Sequence, residues 1–225
     1  MTPRLVIFDC DGTLADGQHM IVRAMATAFE AAGLPPAPRE AAIRTIGLSP
    51  LECMRMLAPD ETPAAQEALA SGYRAAFQAL RRTPDFAEPL FPGAKAALRA
   101  IAGHGALLAI ATGKSQRGVR ALLEREGLSA LFTSIQTADD APSKPHPGMV
   151  MNALAETGAA PSEAVMVGDS TYDIHMARAA GVAAVGVAWG YHPPEALAAA
   201  GASAVAADFS ELLSLLGVFI AETKS

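Results

Sequence analysis

Cysteine is nearly missing from this chain: Cys10 and Cys53 are the only two in 225 residues. Two cysteines make no disulfide framework and suit a reducing compartment. Positive charge is also short, with 17 Lys and Arg against 23 Asp and Glu and a net charge of −6. That balance argues against a nucleic-acid or anionic-membrane partner. No long hydrophobic run is present; the most apolar late stretch, 179–189, is too short to span a bilayer. The first residues hold a single Arg4 and pass straight into a short apolar run, unlike a signal peptide. The expectation is a cytoplasmic protein, monomer or homodimer. The five histidines have no zinc-like spacing, which sets zinc aside. Internal repeats and low-complexity tracts are absent, although alanine is abundant. Aromatics are few at 5%, but 51% hydrophobic and 18% charged residues describe a globular chain and not a disordered one. Its length allows one large domain, or a core with a smaller domain inserted.

What is present is organised around Phe8-Asp9-Cys10-Asp11-Gly12-Thr13-Leu14-Ala15-Asp16. It follows Leu5-Val6-Ile7-Phe8, a continuous apolar run of the kind found in buried parallel strands. Asp9 and Asp11 therefore leave a strand at its carboxyl end, where open α/β sheets bind ligands. Residues two apart in an extended chain point the same way, so both carboxylates can face one site, while Cys10 turns into the core. Two like charges so close persist if a proton is shared or a cation sits between them. Gly12 and Thr13 permit a sharp turn, with a hydroxyl to tie it down. The plain alternative is an acidic strand-to-loop turn without function.

Beyond Asp16 the pattern is helical. Met20, Ile21, Met25, Phe29 and Ala32 form one stripe, ended by Gly33-Leu34-Pro35-Pro36. Further helices are expected over 39–46, 50–57 and 64–81, with Pro63 in the first turn of the last. The Pro-rich stretch 83–93 reads as a linker. Helix and strand then alternate: helices at 94–102, 115–126, 148–156, 172–180 and 210–222, strands at 106–111, 132–136, 164–167, 182–187 and 204–206. The expected fold is α/β, a Rossmann-like parallel sheet with helices on both faces, plus an inserted all-helical cap. The core spans 1–15 and 84–225, and the cap 16–83. A crossover needs only a dozen or more residues, and the excess between the first two strands is the insert.

Three more loops attract attention. The strand ending in Thr112-Gly113-Lys114-Ser115 offers a hydroxyl and free N–H groups at a helix start, an anion site or else a routine cap. Lys114 adds a positive charge there, meeting substrate or solvent. Ser143-Lys144-Pro145-His146-Pro147 holds a lysine in a loop stiffened by prolines, with His146 structural. Gly168-Asp169-Ser170-Thr171-Tyr172-Asp173 again delivers carboxylates at the end of an apolar strand.

Asp9-Cys10-Asp11-Gly12-Thr13-Leu14 resembles the first signature of the haloacid dehalogenase-like hydrolases, in the phosphoglycolate-phosphatase-like and beta-phosphoglucomutase-like branch. Thr112-Gly113, Lys144 and the Asp169/Asp173 pair are similar to the other three, in the family's order. The resemblance covers the core on both sides of the insert, which matches only as a helical cap. It implies a phosphoric monoester hydrolase acting on a small phosphorylated substrate, with phosphoglycolate the leading analogue. Asp9 would be the nucleophile and Asp11 the general acid and base. Thr112, Gly113 and Lys144 would bind phosphate. Mg²⁺ would be held by Asp9, Asp11 through its backbone carbonyl, and Asp169, with Asp173 one layer out. Asp11 argues against dehalogenation, since halide needs no proton to leave. Gly17 stands where many relatives carry Ser. In the cap, Arg44 and Ser49, beside Ile46-Gly47-Leu48, are candidate substrate contacts. A phosphosugar mutase on the same scaffold is the alternative. A two-component receiver is disfavoured by the insert after the first strand.

Overall fold

The computed structural model describes residues 4–217. The first strand, β1 (Leu5–Phe8), is followed by four helices, α1 (Gln18–Ala31), α2 (Arg39–Arg44), α3 (Pro50–Leu57) and α4 (Pro63–Leu80). Then come α5 (Ala94–Gly103), β2 (Leu107–Thr112), α6 (Gln116–Glu126), β3 (Phe132–Thr137), α7 (Gly148–Thr157) and β4 (Ala164–Gly168). The chain continues through α8 (Thr171–Ala179), β5 (Ala183–Val187), α9 (Pro194–Ala200), β6 (Ala204–Ala206) and α10 (Phe209–Leu215).

The six strands form one parallel sheet in the order β3-β2-β1-β4-β5-β6. This is the Rossmann order, in which ligands bind beyond the carboxyl ends of the strands where the order reverses. β1 is therefore central, flanked by β2 and β4, and its four residues are fully buried. Strand alternation sends its side chains to two cores. Val6 and Phe8 join Leu108, Ile110, Val165 and Val167 against α5 and α10, while Leu5 and Ile7 join Ala109, Met166 and Ile174 under α7 and α8.

Helices α1–α4 build a core of their own from Ile21, Met25, Phe29, Met54 and Leu69. Ser49 and Thr62 accept the Glu52 and Ala65 backbone N–H groups to start α3 and α4, each with proline in the first turn. The two chain segments linking these helices to the sheet run side by side. The Asp16 N–H donates to Pro89 O at 2.8 Å and the Phe91 N–H to Leu14 O at 2.9 Å.

Element boundaries differ from the sequence expectation by a residue or two at most ends. The helix begun at Arg39 stops at Arg44, because Thr45 turns back to bond Ala42 O with its hydroxyl. α9 was not anticipated: seven residues opened by Pro193-Pro194 carry too little periodicity to announce a helix. The final helix ends at Leu215, followed by Gly217 at φ +67°. Residues 218–222 of the expected helix lie outside the described residues.

Leu108 is fully buried in β2. Leu108→Ala is expected to cost about 2–5 kcal/mol through lost transfer energy plus the cavity left behind. Denaturant midpoints of the purified variant check this, and an unchanged midpoint would contradict the packing described.

Candidate active site

Asp9 follows β1 directly, and its N–H donates to Val167 O of β4 at 3.0 Å. Its side chain is wholly buried. Lys144, also buried, comes from the loop after β3 and places Nζ 2.8 Å from Asp9 Oδ1 and 2.6 Å from Asp173 Oδ1. The contact with Asp9 is a short, buried ion pair, and Lys144 and the Thr112 hydroxyl both favour the Asp9 carboxylate. Asp169, after β4, accepts the Thr13 hydroxyl at 2.9 Å and the Tyr191 N–H at 2.8 Å. Asp173 is fixed by the first turn of α8, where its Oδ2 accepts the Ser170 hydroxyl at 2.6 Å and the Ser170 N–H at 3.0 Å.

Asp9, Asp169 and Asp173 each bring a carboxylate oxygen within 4.8 Å of the others. Burial pushes the Asp9 carboxyl up from 3.8 to about 7, with Lys144 pulling down and Asp173 adding to the rise. Burial also raises Asp169, helped by Asp9 and Asp173, against the Tyr191 and Thr13 hydrogen bonds. For Lys144 burial favours the neutral amine, but Asp173 and Asp9 outweigh it and its pKa is raised. The lysine is therefore a fixed cation among competing anions. Cys10 is buried, as strand alternation requires, and burial pushes its thiol well up.

Gly12 has φ +87°, and a Cβ there would lie 2.2 Å from Asp169 Oδ2. Only glycine lets the β1 loop pass this carboxylate. The Thr13 hydroxyl was expected to tie its own turn down; instead it crosses to Asp169 of the neighbouring strand's loop.

Asp11 separates from the other carboxylates. Lys114 Nζ lies 2.9 Å from its Oδ1 and 3.1 Å from its Oδ2, and also pairs with Glu88. Glu88 is buried and its carbonyl accepts Arg125 Nη2 at 2.6 Å. Lys114 thus is not solvated: burial opposes its charge, Asp11 and Glu88 outweigh burial, and its pKa is raised. Lys114 also sits 5.4 Å from the centre of the Phe77 ring of α4.

Thr112 ends β2, buried, its hydroxyl accepting the Lys114 N–H at 3.3 Å. At Gly113 a Cβ would come within 2.4 Å of Leu48 O and 2.5 Å of Gly47 O, so the loop from the helical insert rests directly on this turn. The Ser49 N–H donates to Ser143 Oγ at 2.8 Å across the same seam. A cavity of about 330 Å³ lies between the two parts, lined by Asp11, Thr112 and Gly113 from the sheet side and Ser49, Tyr73 and Phe77 from the helices.

Ser49 thus reaches the cavity, but Arg44 does not. Its side chain is exposed, and its carbonyl serves the seam by accepting the Tyr172 hydroxyl at 3.1 Å, with His192 Nε2 also 3.1 Å away. Arg44 sits at the end of α2, which turns that side chain outward. His146 is exposed, its Nδ1 accepting the Gly148 N–H at 3.1 Å. Sequence reading missed Glu88 and Tyr191. Glu88 sat in a Pro-rich linker, where its single signal was an acid beside prolines.

Residues 6–187 match the haloacid dehalogenase-like hydrolase family. "Probable phosphatase IndB" of Dickeya dadantii is 40% identical over 214 residues, 93% of this chain and 91% of that protein. A phosphoglycolate phosphatase of Photorhabdus laumondii is 31% identical over 218 residues, 96% of this chain and 93% of that one. The crystal structure of a hydrolase from Pseudomonas syringae superposes with a TM-score of 0.84 at 27% identity, covering 98% of this chain and 100% of the other. The chain, with aspartates after β1 and β4 and a lysine between them, belongs to the haloacid dehalogenase-like hydrolases.

Proposed function

We propose that this hydrolase is a Mg²⁺-dependent phosphatase that splits a small phosphorylated metabolite through an aspartyl phosphate on Asp9. The observation that carries this reading is a buried carboxylate beside a buried lysine, in a cluster of three acids at the sheet's switch point. Relatives named phosphatase and phosphoglycolate phosphatase support it.

An Asp9 oxygen attacks phosphorus as the ester P–O bond breaks, and Asp11 protonates the departing alkoxide. Asp11 then takes a proton from water as that water attacks phosphorus, releasing inorganic phosphate and restoring Asp9. Lys144, the Thr112 hydroxyl and the Gly113 N–H hold the phosphoryl oxygens as charge moves. Asp11 suits the leaving-group side because, unlike Asp9, it lines the cavity. Residues 16–83 act as a cap that keeps water from the leaving group.

The acidic cluster fits a divalent cation. Three buried carboxylates meet a single lysine, and oxygen donors suit Mg²⁺. Asp9 and Asp169, with the Asp11 carbonyl, would hold it, and Asp173 would orient Lys144. Bound Mg²⁺ offsets the repulsion between Asp9 and the phosphate dianion.

Asp9→Asn is expected to abolish turnover, and mass spectrometry of quenched wild-type protein to find a phosphoryl group on Asp9. Asp11→Asn is expected to lower kcat by about a hundredfold or more. An adduct elsewhere, or near-normal Asp9→Asn activity, would overturn the mechanism.

A second expectation concerns pH and metal. Because the folded-state pKa of Asp9 is raised from 3.8 to about 7, the native protein holds this proton where the unfolded chain has lost it. The Asp9 contribution to stability is full below the unfolded value and is lost as pH rises through the folded one. Without metal, wild-type Tm should fall relative to Asp9→Asn between about pH 5 and about pH 8. Added Mg²⁺ should raise wild-type Tm more at the higher pH, since it binds the ionised cluster. A chelator should remove turnover, and Ca²⁺ as sole cation should not restore it. A Tm difference independent of pH, or full activity in chelator, would contradict the metal assignment.

A further inference from the structure

Glu88 is a buried acid that the proposed mechanism does not use. Its side chain is 1% exposed, although it sits in the linker that returns from the helical insert. It does not line the cavity, so it cannot touch a substrate lying there. Its carboxylate pairs with Lys114, and Arg125 Nη1 stands 3.8 Å from its Oε2. Taking a carboxylate out of water is costly, and a buried ion pair often adds no net stability over apolar side chains of similar volume. Stability alone therefore gives this pair little purpose. What it holds is Asp11.

Lys114 is the one side chain that hydrogen-bonds the Asp11 carboxylate among the described residues, and it reaches both oxygens. Asp11 lies beyond the end of β1 and beside the Gly12 turn at φ +87°, so strand geometry does not aim its carboxylate. The aim comes from Lys114, whose flexible four-carbon stem must itself be fixed. Glu88 fixes it by taking the ammonium directly, and the Phe77 ring centre stands 5.4 Å away. Gly17 packs against the same group: a Cβ there would lie 2.9 Å from Asp11 Oδ1 and 3.4 Å from Glu88 Oε1. The entrance to the insert thus closes directly on the two carboxylates that share the lysine.

We infer that Glu88 is a positioning residue for the proton transfer at the leaving group: it anchors Lys114, and Lys114 holds the Asp11 carboxylate at the cavity where the ester oxygen departs. This deepens the phosphatase reading and rests on it. Glu88 touches neither the substrate nor the reacting phosphorus. Its effect reaches them through two side chains, and a donor misplaced by about 1 Å can cost about a hundredfold in rate. The acid is aimed from the linker that carries the helical insert, not by its own loop alone.

The test compares two esters on the full-length protein with Mg²⁺. Ethyl phosphate needs its leaving alkoxide protonated, whereas p-nitrophenyl phosphate releases a stable phenolate and needs little help. Glu88→Gln keeps the side-chain shape and removes the charge. It should lower kcat for ethyl phosphate by about tenfold or more beyond any loss on p-nitrophenyl phosphate, with KM little changed. Lys114→Met combined with Glu88→Leu replaces the buried pair by apolar groups, and should show the same bias if Glu88→Gln fails to fold. Added to Asp11→Asn, Glu88→Gln should cost nothing more on ethyl phosphate, because the group it aims is already gone. Asp85→Asn, which removes an exposed partner of Arg23 in the same linker, should leave both rates unchanged. Equal losses on both esters, or losses that multiply in the Asp11→Asn background, would overturn the inference. If the wild type cleaves neither ester, or Asp11→Asn harms both alike, the phosphatase reading itself fails, and crystal structures decide the role of Glu88 alone. The Asp11 carboxylate should leave its wild-type position in Glu88→Gln, and an unmoved carboxylate would overturn the inference.

Discussion

The ammonium of Lys144 is the interaction on which this site depends. It reaches Asp9 and Asp173 from a loop of its own, and all three groups are cut off from water. Leaving one partner of such a buried pair uncompensated costs about 3–5 kcal/mol, so the fold must deliver the lysine wherever it delivers the acids. It does so by topology. β1 and β4 are neighbours, so Asp9 and Asp169 emerge side by side, and α8 begins at once to aim Asp173. The loop after β3 then returns across β2 to supply the positive charge. A single ammonium does not neutralise three carboxylates; burial raises Asp9 and Asp169, and the remaining negative charge adds to the rise.

A second buried ion network lies on the other side of Asp11. Lys114 joins Asp11 to Glu88, and Arg125 closes on Glu88 from α6. The two aspartates of one turn are thereby given different partners: Asp9 takes the lysine it shares with Asp173, Asp11 the lysine it shares with Glu88. The difference follows from strand geometry only in part. Residues two apart share a face, but the Gly12 turn ends the strand and lets Asp11 lean towards the cavity. Glu88 stands next to Pro89, whose carbonyl bonds Asp16, so this network touches the paired segments on which the helical insert is hung.

Much of this was legible in sequence because its signals are local. Leu5-Val6-Ile7-Phe8 and Ala164-Val165-Met166-Val167 read as buried parallel strands from apolarity alone, and both are. Asp9, Asp169 and Asp173 stood out behind apolar strands, whereas Thr112 and Lys144 were marked only by resemblance to family signatures; the fold brings Lys144 to Asp9 and Asp173. What stayed hidden depends on distant pairing. Lys114 and Asp11 are 103 positions apart, Thr13 and Asp169 are 156 apart, and nothing near either residue announces the partner. Arg44 failed for the opposite reason. Proximity in sequence to Gly47-Leu48-Ser49 suggested the cavity, but the end of α2 turns its side chain to solvent and only its carbonyl to the seam.

The central place of β1 also governs the order in which a nascent chain can become this protein. β1 ends at Phe8, while its two sheet partners begin at Leu107 and Ala164. Leaving the ribosome from the amino end, β1 has no ladder to join until about a hundred further residues are made, and its second edge stays open far longer. Synthesis at about 5–20 residues per second makes that a wait of several seconds for a fully apolar strand. Meanwhile α1–α4 possess their own hydrophobic cluster and are complete by Leu80, before either partner of β1 exists. The segment α1–α4 thus has all the residues of its own cluster before β1 has either of its sheet partners.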